Sequence, residues 1–115
     1  MQTEIMKDLV QRQLIAYNNR NLEDFCQCFH PKVKVTKLVS GEVLCVGKEK
    51  FRELYKNLFD SSPNLHCELK SRIVLETTVI DEEFVTGAAK YPQGVHAVAI
   101  YGFHDQLISQ IWFPK

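Results

Sequence analysis

The stretch YNNRNLEDFCQCF, residues 17–29, decides how the chain folds, because one helix ends within it and another begins at once. Four polar residues, 18–21, separate two apolar segments. Asparagine tolerates left-handed backbone and caps helices well. Asn21 is followed by Glu23 and Asp24, whose charges suit the first turn of a helix. We therefore predict that the chain turns a corner here and that the apolar residues of both helices face one core.

Helical periodicity extends from this corner in both directions. Apolar residues recur at steps of three and four between Glu4 and Tyr17, which predicts a first helix. The second helix is expected to end at Pro31, since proline cannot continue it. Its expected buried residues are Leu22, Phe25, Cys26 and Phe29. Gly47 is expected to open a third helix. The apolar face of that helix comprises Phe51, Leu54, Tyr55, Leu58 and Phe59.

Outside these helices the sequence alternates between apolar and polar residues, as strands do. Residues 33–39 and 43–46 are expected to form a hairpin. Later strands are expected at 65–75, 83–89, 95–104 and 107–113, with turns at 79–82 and at Asp105–Gln106. Within strand 65–75, Cys67 and Ser71 are expected on one face and Arg72 on the other. Helices segregated against such a sheet define an α+β fold.

The composition excludes several classes of function. The 115 residues suit one domain, 1–115, and the net charge is zero, which argues against a nucleic-acid surface. Neither a membrane-length apolar run nor a secretion signal is present, so we expect a cytoplasmic protein. The four cysteines are then expected to remain reduced. Their spacing with histidine does not supply the four ligands of a structural zinc site, and the sequence implies no metal or cofactor.

Five segments of the chain, read together, resemble the nuclear transport factor 2-like superfamily, in particular its SnoaL-like or ketosteroid-isomerase-like branch. They are AYNNRNLEDFCQCFHPKVKV, FRELYKNLF, LHCELKSRIV, VIDEEFVTG and AVAIYGFHDQLISQIWF. The resemblance implies a cone-shaped, cystatin-like α+β roll. In this fold a strongly curved mixed or antiparallel sheet wraps around three α-helices that come from the N-terminal side of the chain. It also implies a cavity for a small apolar ligand and assembly as a homodimer.

The resemblance does not extend to the isomerase's catalytic groups. The family's tyrosine, aspartate base and aspartic acid fall on Gln13, Lys37 and Ala99, none of which can replace the group it aligns with. Steroid isomerase chemistry is therefore not expected, and the catalytic residues, if there are any, stay unidentified. A cyclase would need an acid in the late strands, where Asp105 lies in a turn. That turn has Gln106 where such sequences usually have glycine, so it is either longer than two residues or strained.

Lys37 is the most informative candidate for the cavity, because its strand phase matches Val33 and Val35. It could hold a weakly anionic ligand or act as a neutral base. Alternatively, its stem lies on apolar surface while its ammonium group reaches water. The predicted lining residues with polar or amphipathic side chains are Gln13, Tyr17, Lys37, Tyr55, Ser71 and Trp112.

The last two strands are apolar on both faces, which predicts a partner for the sheet. One face covers the helices, and the other would expose a large apolar patch unless a second copy covered it. The candidates for that interface are His96, Val98, Ile100 and Trp112. The favoured function is binding of a small apolar or weakly anionic molecule. An isomerase-, dehydratase- or cyclase-like enzyme acting on a small carbonyl compound, and a protein-interaction module, are the alternatives.

Overall fold

The computed structural model describes residues 1–114, and within them the chain forms three α-helices and six β-strands. The helices are α1 (Thr3–Asn18), α2 (Leu22–Gln27) and α3 (Lys48–Ser61). The strands are β1 (Phe29–Lys37), β2 (Val43–Val46), β3 (His66–Val74), β4 (Val79–Thr86), β5 (Val95–His104) and β6 (Leu107–Phe113). No helix in this range is long and apolar enough to cross a membrane.

The strands form one open mixed sheet in the order β2-β1-β6-β5-β4-β3. Adjacent strands are antiparallel, except that β1 and β6 run parallel. The helices pack on one face, which we call the inner face: α1 contacts β3, β4 and β6, and α3 contacts β1 and β2. This arrangement confirms the expected α+β fold.

The corner at residues 18–21 forms as predicted. Arg20 adopts the left-handed backbone conformation, with φ of 52°, and the Asn21 side chain accepts a hydrogen bond from the Asp24 N–H at 3.1 Å. The Asn18 side chain accepts a bond from the Cys67 N–H at 2.7 Å and donates one to the Cys67 carbonyl at 3.0 Å. The end of α1 is therefore fixed to β3.

The prediction that α2 continues to Pro31 was wrong, because this helix ends at Gln27. Phe29 already belongs to β1, where it pairs with Ile108, and the Cys28 carbonyl accepts a bond from the Ile108 N–H at 3.0 Å. Pairing with β6 therefore replaces the last predicted helical turn. Pro31 lies within β1.

The predicted turn at 79–82 was also wrong, because residues 79–86 form strand β4. Its inward side chains are buried in alternation, with Val79, Asp81 and Glu83 facing the helices. The turn after β5 has two residues, since His104 pairs with Leu107. Both turn residues have positive φ, 52° at Asp105 and 62° at Gln106, so the two-residue alternative is the correct one.

An aromatic cluster fills the core between α2, α3 and β1. The rings of Phe25 and Phe51 are stacked, with centroids 5.6 Å apart, and Phe29 packs against both. All three side chains are fully buried. Phe25 also contacts Tyr55, with centroids 4.7 Å apart, and both rings line the open space next to this core.

Candidate functional site

A cavity of about 220 Å³ lies between the helices and the inner face of the sheet. Leucine, valine, alanine and isoleucine side chains supply part of its wall. Its aromatic lining residues are Tyr17, Phe25, Tyr55, Tyr91, Tyr101 and Phe113. Tyr91 is 42% exposed and marks the rim. A concave, largely apolar space with a few polar groups is the usual form of a small-molecule site.

The two inward acids of β4 have different surroundings. Asp81 is completely buried, and Arg72 on β3 lies directly opposite it. The guanidinium donates to both Asp81 carboxylate oxygens, at 2.7 and 2.9 Å, and to the Gln11 side-chain oxygen at 2.9 Å. The charge of Asp81 is therefore neutralised in a bidentate ion pair.

Glu83 lies two residues further along β4, on the same face, and lines the cavity while being 8% exposed. Among residues 1–114, no lysine, arginine or histidine forms a salt bridge with it. Burial and, to a smaller extent, the nearby negative charge of Asp81 raise the pKa of Glu83 to about 7, although the Cys67 thiol and Arg72 act in the opposite direction. This carboxyl group can therefore exchange its proton near neutral pH.

Neutral hydrogen-bonding groups surround this acid. The Gln13 side chain donates to the Tyr101 hydroxyl oxygen at 3.2 Å and to the Val10 carbonyl at 3.0 Å. Burial raises the pKa values of Tyr17, Tyr55 and Tyr101, so their hydroxyls stay protonated. Because Tyr101 accepts from Gln13, its own proton remains available for a group in the cavity.

The model of the SnoaL-like domain family matches residues 10–111 of the chain. The chain belongs to this family. No curated protein matches it.

Solved structures with the same fold extend this comparison. An uncharacterized cystatin-fold protein from Novosphingobium aromaticivorans has a TM-score of 0.84 at 23% identity, covering 94% of this chain and 96% of that one. A candidate ketosteroid isomerase from Kribbella flavida has a TM-score of 0.81 at 13% identity, covering 97% of this chain and 79% of that one. A candidate polyketide cyclase from Sinorhizobium meliloti has a TM-score of 0.80 at 13% identity, covering 98% of this chain and 99% of that one. At these identities the likeness concerns the fold alone.

In this SnoaL-like domain, three of the predicted lining residues reach the cavity: Gln13 and Tyr17 from α1, and Tyr55 from α3. Lys37 does not line it. The pairing of β1 with β2 shifts register after Val35, and Lys37 lies at the base of the hairpin, where its ammonium group is 3.4 Å from the Glu42 carboxylate. Lys37 keeps the phase of the buried valines, since it pairs with Phe113 as Val35 pairs with Ile111. It lies at the last position of β1, however, and the cavity does not extend to it.

Ser71 and Trp112 also lie outside the cavity, because both belong to the outer face of the sheet. The register of β3 shifts between Leu69 and Ser71, and such a bulge exchanges the two faces of a strand. Ser71 therefore donates to the Glu82 carboxylate at 2.9 Å, while Arg72 turns inwards. The predicted grouping of Ser71 with Cys67 on one face was wrong. Trp112 lies opposite Ile100, close to Gly102.

Three residues that line the cavity were not among the predicted lining residues: Glu83, Tyr101 and Cys67. Glu83 was hidden because the acidic run at 81–83 was assigned to a turn and the edge of the next strand. The alternation in VIDEEFVT, with Val79, Asp81 and Glu83 in one phase, was the signal that could have located it. Of the three positions aligned with the isomerase's catalytic groups, Gln13 lines the cavity, whereas Ala99 is buried in the core.

A second polar cluster lies at the β5–β6 turn, where His30 and His104 approach Asp105. Each Nε2 atom is 3.4 Å from one Asp105 carboxylate oxygen. The Lys32 N–H donates to Nδ1 of His30 at 3.0 Å, so Nε2 carries the ring proton. A metal would need that nitrogen unprotonated. The arrangement therefore suits hydrogen bonding to Asp105 better than metal binding.

Proposed function

We propose that this SnoaL-like domain binds a small, largely apolar molecule in its inner cavity and that Glu83 contacts the molecule's polar group. The observation that carries this proposal is a buried carboxyl group without a basic partner in an aromatic-lined cavity of about 220 Å³. An engineered cavity of about 150 Å³ holds benzene, so this one accommodates a single substituted ring or a short chain.

The charge of the cavity changes the expected ligand. A weakly anionic molecule was expected because of Lys37, but that side chain pairs with Glu42 outside the cavity. The ionisable acid of the lining, Glu83, would repel an anion. We therefore restrict the proposal to ligands without negative charge. An open cavity also favours ligand binding over the protein-interaction alternative, which predicts a filled interior.

Filling the cavity tests the proposal. Ala97 lines the cavity directly opposite Glu83 on β5, so Ala97→Leu should occupy ligand space. Titration of the labelled protein with benzyl alcohol should shift NMR signals of lining residues, and the variant should weaken binding at least tenfold. Ala89→Leu, at an exposed site outside the cavity, is the control. Equal binding by the Ala97 variant would contradict the proposal.

Proton transfer on a small carbonyl compound is a second candidate function, favoured by the near-neutral pKa of Glu83. A general base works best when its pKa lies near the working pH, and tyrosine hydroxyls can stabilise an enolate oxygen. If this is correct, the protein will exchange the α-protons of cyclopentanone for deuterium in D₂O, and Glu83→Gln will not. Exchange at the rate of buffer alone would exclude it.

We also propose that the domain forms a homodimer through the outer face of its sheet. Ile73, Ile80, Ile100 and Trp112 lie directly opposite one another on β3, β4, β5 and β6, and we call them the outer row. His96 and Val98 lie beside this row. In the described part of the chain, the helices pack on the inner face, so a second copy is the economical cover for the outer row. Sedimentation at micromolar concentration should give a dimer.

A cytoplasmic location is the last part of the proposal. The four cysteines are free and buried in the structure, which suits a reducing compartment. Fractionation of cells producing the protein without a tag would test this location, and recovery from an extracellular or membrane fraction would contradict it.

A further inference from the structure

We propose that the polar group of the ligand is a protonated nitrogen, so that the cavity selects a small cationic amine over an alcohol or acid of equal size. This inference rests on the proposed binding function and specifies the charge of the ligand. It follows from three features of the inner face: an acid without a counter-ion, a nearby arginine that is already paired, and a wall of aromatic rings.

The first feature is the missing counter-charge. The cavity lining within residues 1–114 includes the Glu83 carboxyl group but no lysine, arginine or histidine. An ionised carboxylate that is nine-tenths buried is costly unless a cation neutralises it. A cationic ligand would supply that charge, whereas an alcohol would leave the carboxylate uncompensated.

The second feature explains why Arg72 does not supply the positive charge that Glu83 lacks. Its guanidinium holds both carboxylate oxygens of Asp81 and the side-chain oxygen of Gln11. Turning towards Glu83 would leave Asp81, which is completely buried, without a partner. The ion pair therefore keeps Arg72 out of the cavity and leaves Glu83 to the ligand.

The third feature is the aromatic wall. The ring centroids of Tyr17 and Tyr55 lie 6.0 and 4.7 Å from that of Phe25, and all three rings line the cavity. The faces of aromatic rings attract cations, and the attraction increases when the cation leaves water. A carboxylate beside several rings combines two groups that favour a cation.

The groups around Glu83 also determine how binding should depend on pH. The titratable or charged groups from the neighbouring strands and helices are Asp81, Arg72, Cys67, Tyr17, Tyr55 and Tyr101. Asp81 and Arg72 neutralise each other, and burial raises the pKa values of the thiol and the three hydroxyls, so these four groups stay neutral. Glu83 is therefore the group that titrates near pH 7, and a cation should bind its ionised form.

Three probes of matched size test the inference: benzylamine, benzyl alcohol and benzoate, titrated by calorimetry at pH 6 and pH 8. Benzylamine remains protonated at both values. We expect it to bind at least tenfold more tightly than benzyl alcohol at pH 8, and its affinity to rise by up to about tenfold between pH 6 and pH 8 as Glu83 ionises. Benzoate should bind most weakly.

Two variants complete the experiment. Glu83→Gln should remove the preference for benzylamine and its pH dependence while benzyl alcohol still binds. Glu82→Gln, the adjacent substitution on the outer face, should preserve both. Benzyl alcohol binding as tightly as benzylamine, or benzylamine affinity that does not rise with pH, would overturn the amine inference and leave the binding function intact. Failure of all three probes to bind would overturn both.

Discussion

The inner and outer faces of β4 place neighbouring carboxyl groups in opposite surroundings. On the outer face, Glu82 accepts hydrogen bonds from His96 at 2.7 Å and Ser71 at 2.9 Å, and the former chiefly lowers its pKa. On the inner face, burial raises the pKa of Glu83 to about 7. Asp81, also on the inner face, is buried more completely than Glu83 but has Arg72 as its partner.

The comparison shows that burial alone does not determine what an acid does. Asp81 and Glu83 share a strand and a face, and they differ in whether a cation lies opposite. The paired acid contributes to the structure, whereas the unpaired acid is available to a ligand. Glu82 lies between them on the strand, but its side chain is exposed on the outer face and accepts a hydrogen bond from His96. Four substitutions test this difference, beginning with the largest expected effect.

Arg72→Met should have the largest effect, because it leaves the Asp81 carboxyl group completely buried without its partner. We expect the free energy of unfolding to fall by about 3–5 kcal/mol in urea titrations. The double variant Arg72→Met/Asp81→Leu replaces the pair by apolar groups and should recover most of the loss. If the single variant loses less than about 1 kcal/mol, the ion pair between Arg72 and Asp81 is not needed for the stability of the fold.

Glu83→Gln should stabilise the protein, and increasingly so as the pH rises. The folded-state pKa lies above the ordinary value of 4.5, so the wild-type carboxyl favours folding most below pH 4.5, and this contribution is lost as pH rises to about 7. The difference in unfolding free energy between variant and wild type should grow by up to about 3 kcal/mol across that window. If the difference in unfolding free energy stays constant with pH, the pKa of Glu83 is not raised in the folded protein.

Ile100→Asp tests the outer face, because it places a charge in the middle of the outer row. We expect the dissociation constant of the dimer, measured by sedimentation, to increase at least tenfold, which is about 1.4 kcal/mol. Ile15→Asp, at an exposed position of α1 away from the sheet, should leave it unchanged. An unchanged dimer in the Ile100 variant would place the interface elsewhere.

Glu82→Gln should have the smallest effect, and its pH dependence should have the opposite sign to that of Glu83→Gln. Because the hydrogen bonds lower the folded-state pKa of Glu82, its contribution is present above the ordinary value of 4.5 and is lost as pH falls. The wild type should therefore lose its small advantage over this variant in acid, as measured by thermal unfolding. If the stability changes caused by Glu82→Gln and Glu83→Gln depend on pH with the same sign, the assignment of the two side chains to opposite faces is contradicted.

The fold could be predicted from sequence because its signals are local. The corner at 18–21 carries its own caps, and the 3.6-residue period places Gln13 and Tyr17 on the buried side of α1. The strand contribution to the site could not be predicted, because a shift of one residue exchanges the two faces of a strand. Such a shift occurs in β3 after Leu69, and it moved Ser71 to the face opposite the predicted one. Lys37 keeps its predicted phase but lies at the end of β1, outside the cavity.

Glu83 was missed for a different reason. Three consecutive acids resemble a solvated turn, and what buries two of them is the opposite strand and α1, which lie far away in the sequence. Arg72 becomes the partner of Asp81 only after the bulge in β3 has turned it inwards. Pairing across strands, and not local propensity, therefore decides which acid is neutralised.

The distribution of aromatic residues gives the protein two separate optical reporters. The chain has four tyrosines, and Tyr17, Tyr55, Tyr91 and Tyr101 all line the cavity. Its single tryptophan, Trp112, lies on the outer face. Tryptophan emission should therefore respond to self-association, and near-ultraviolet tyrosine dichroism to occupancy of the cavity. The two events can be followed in one unlabelled sample.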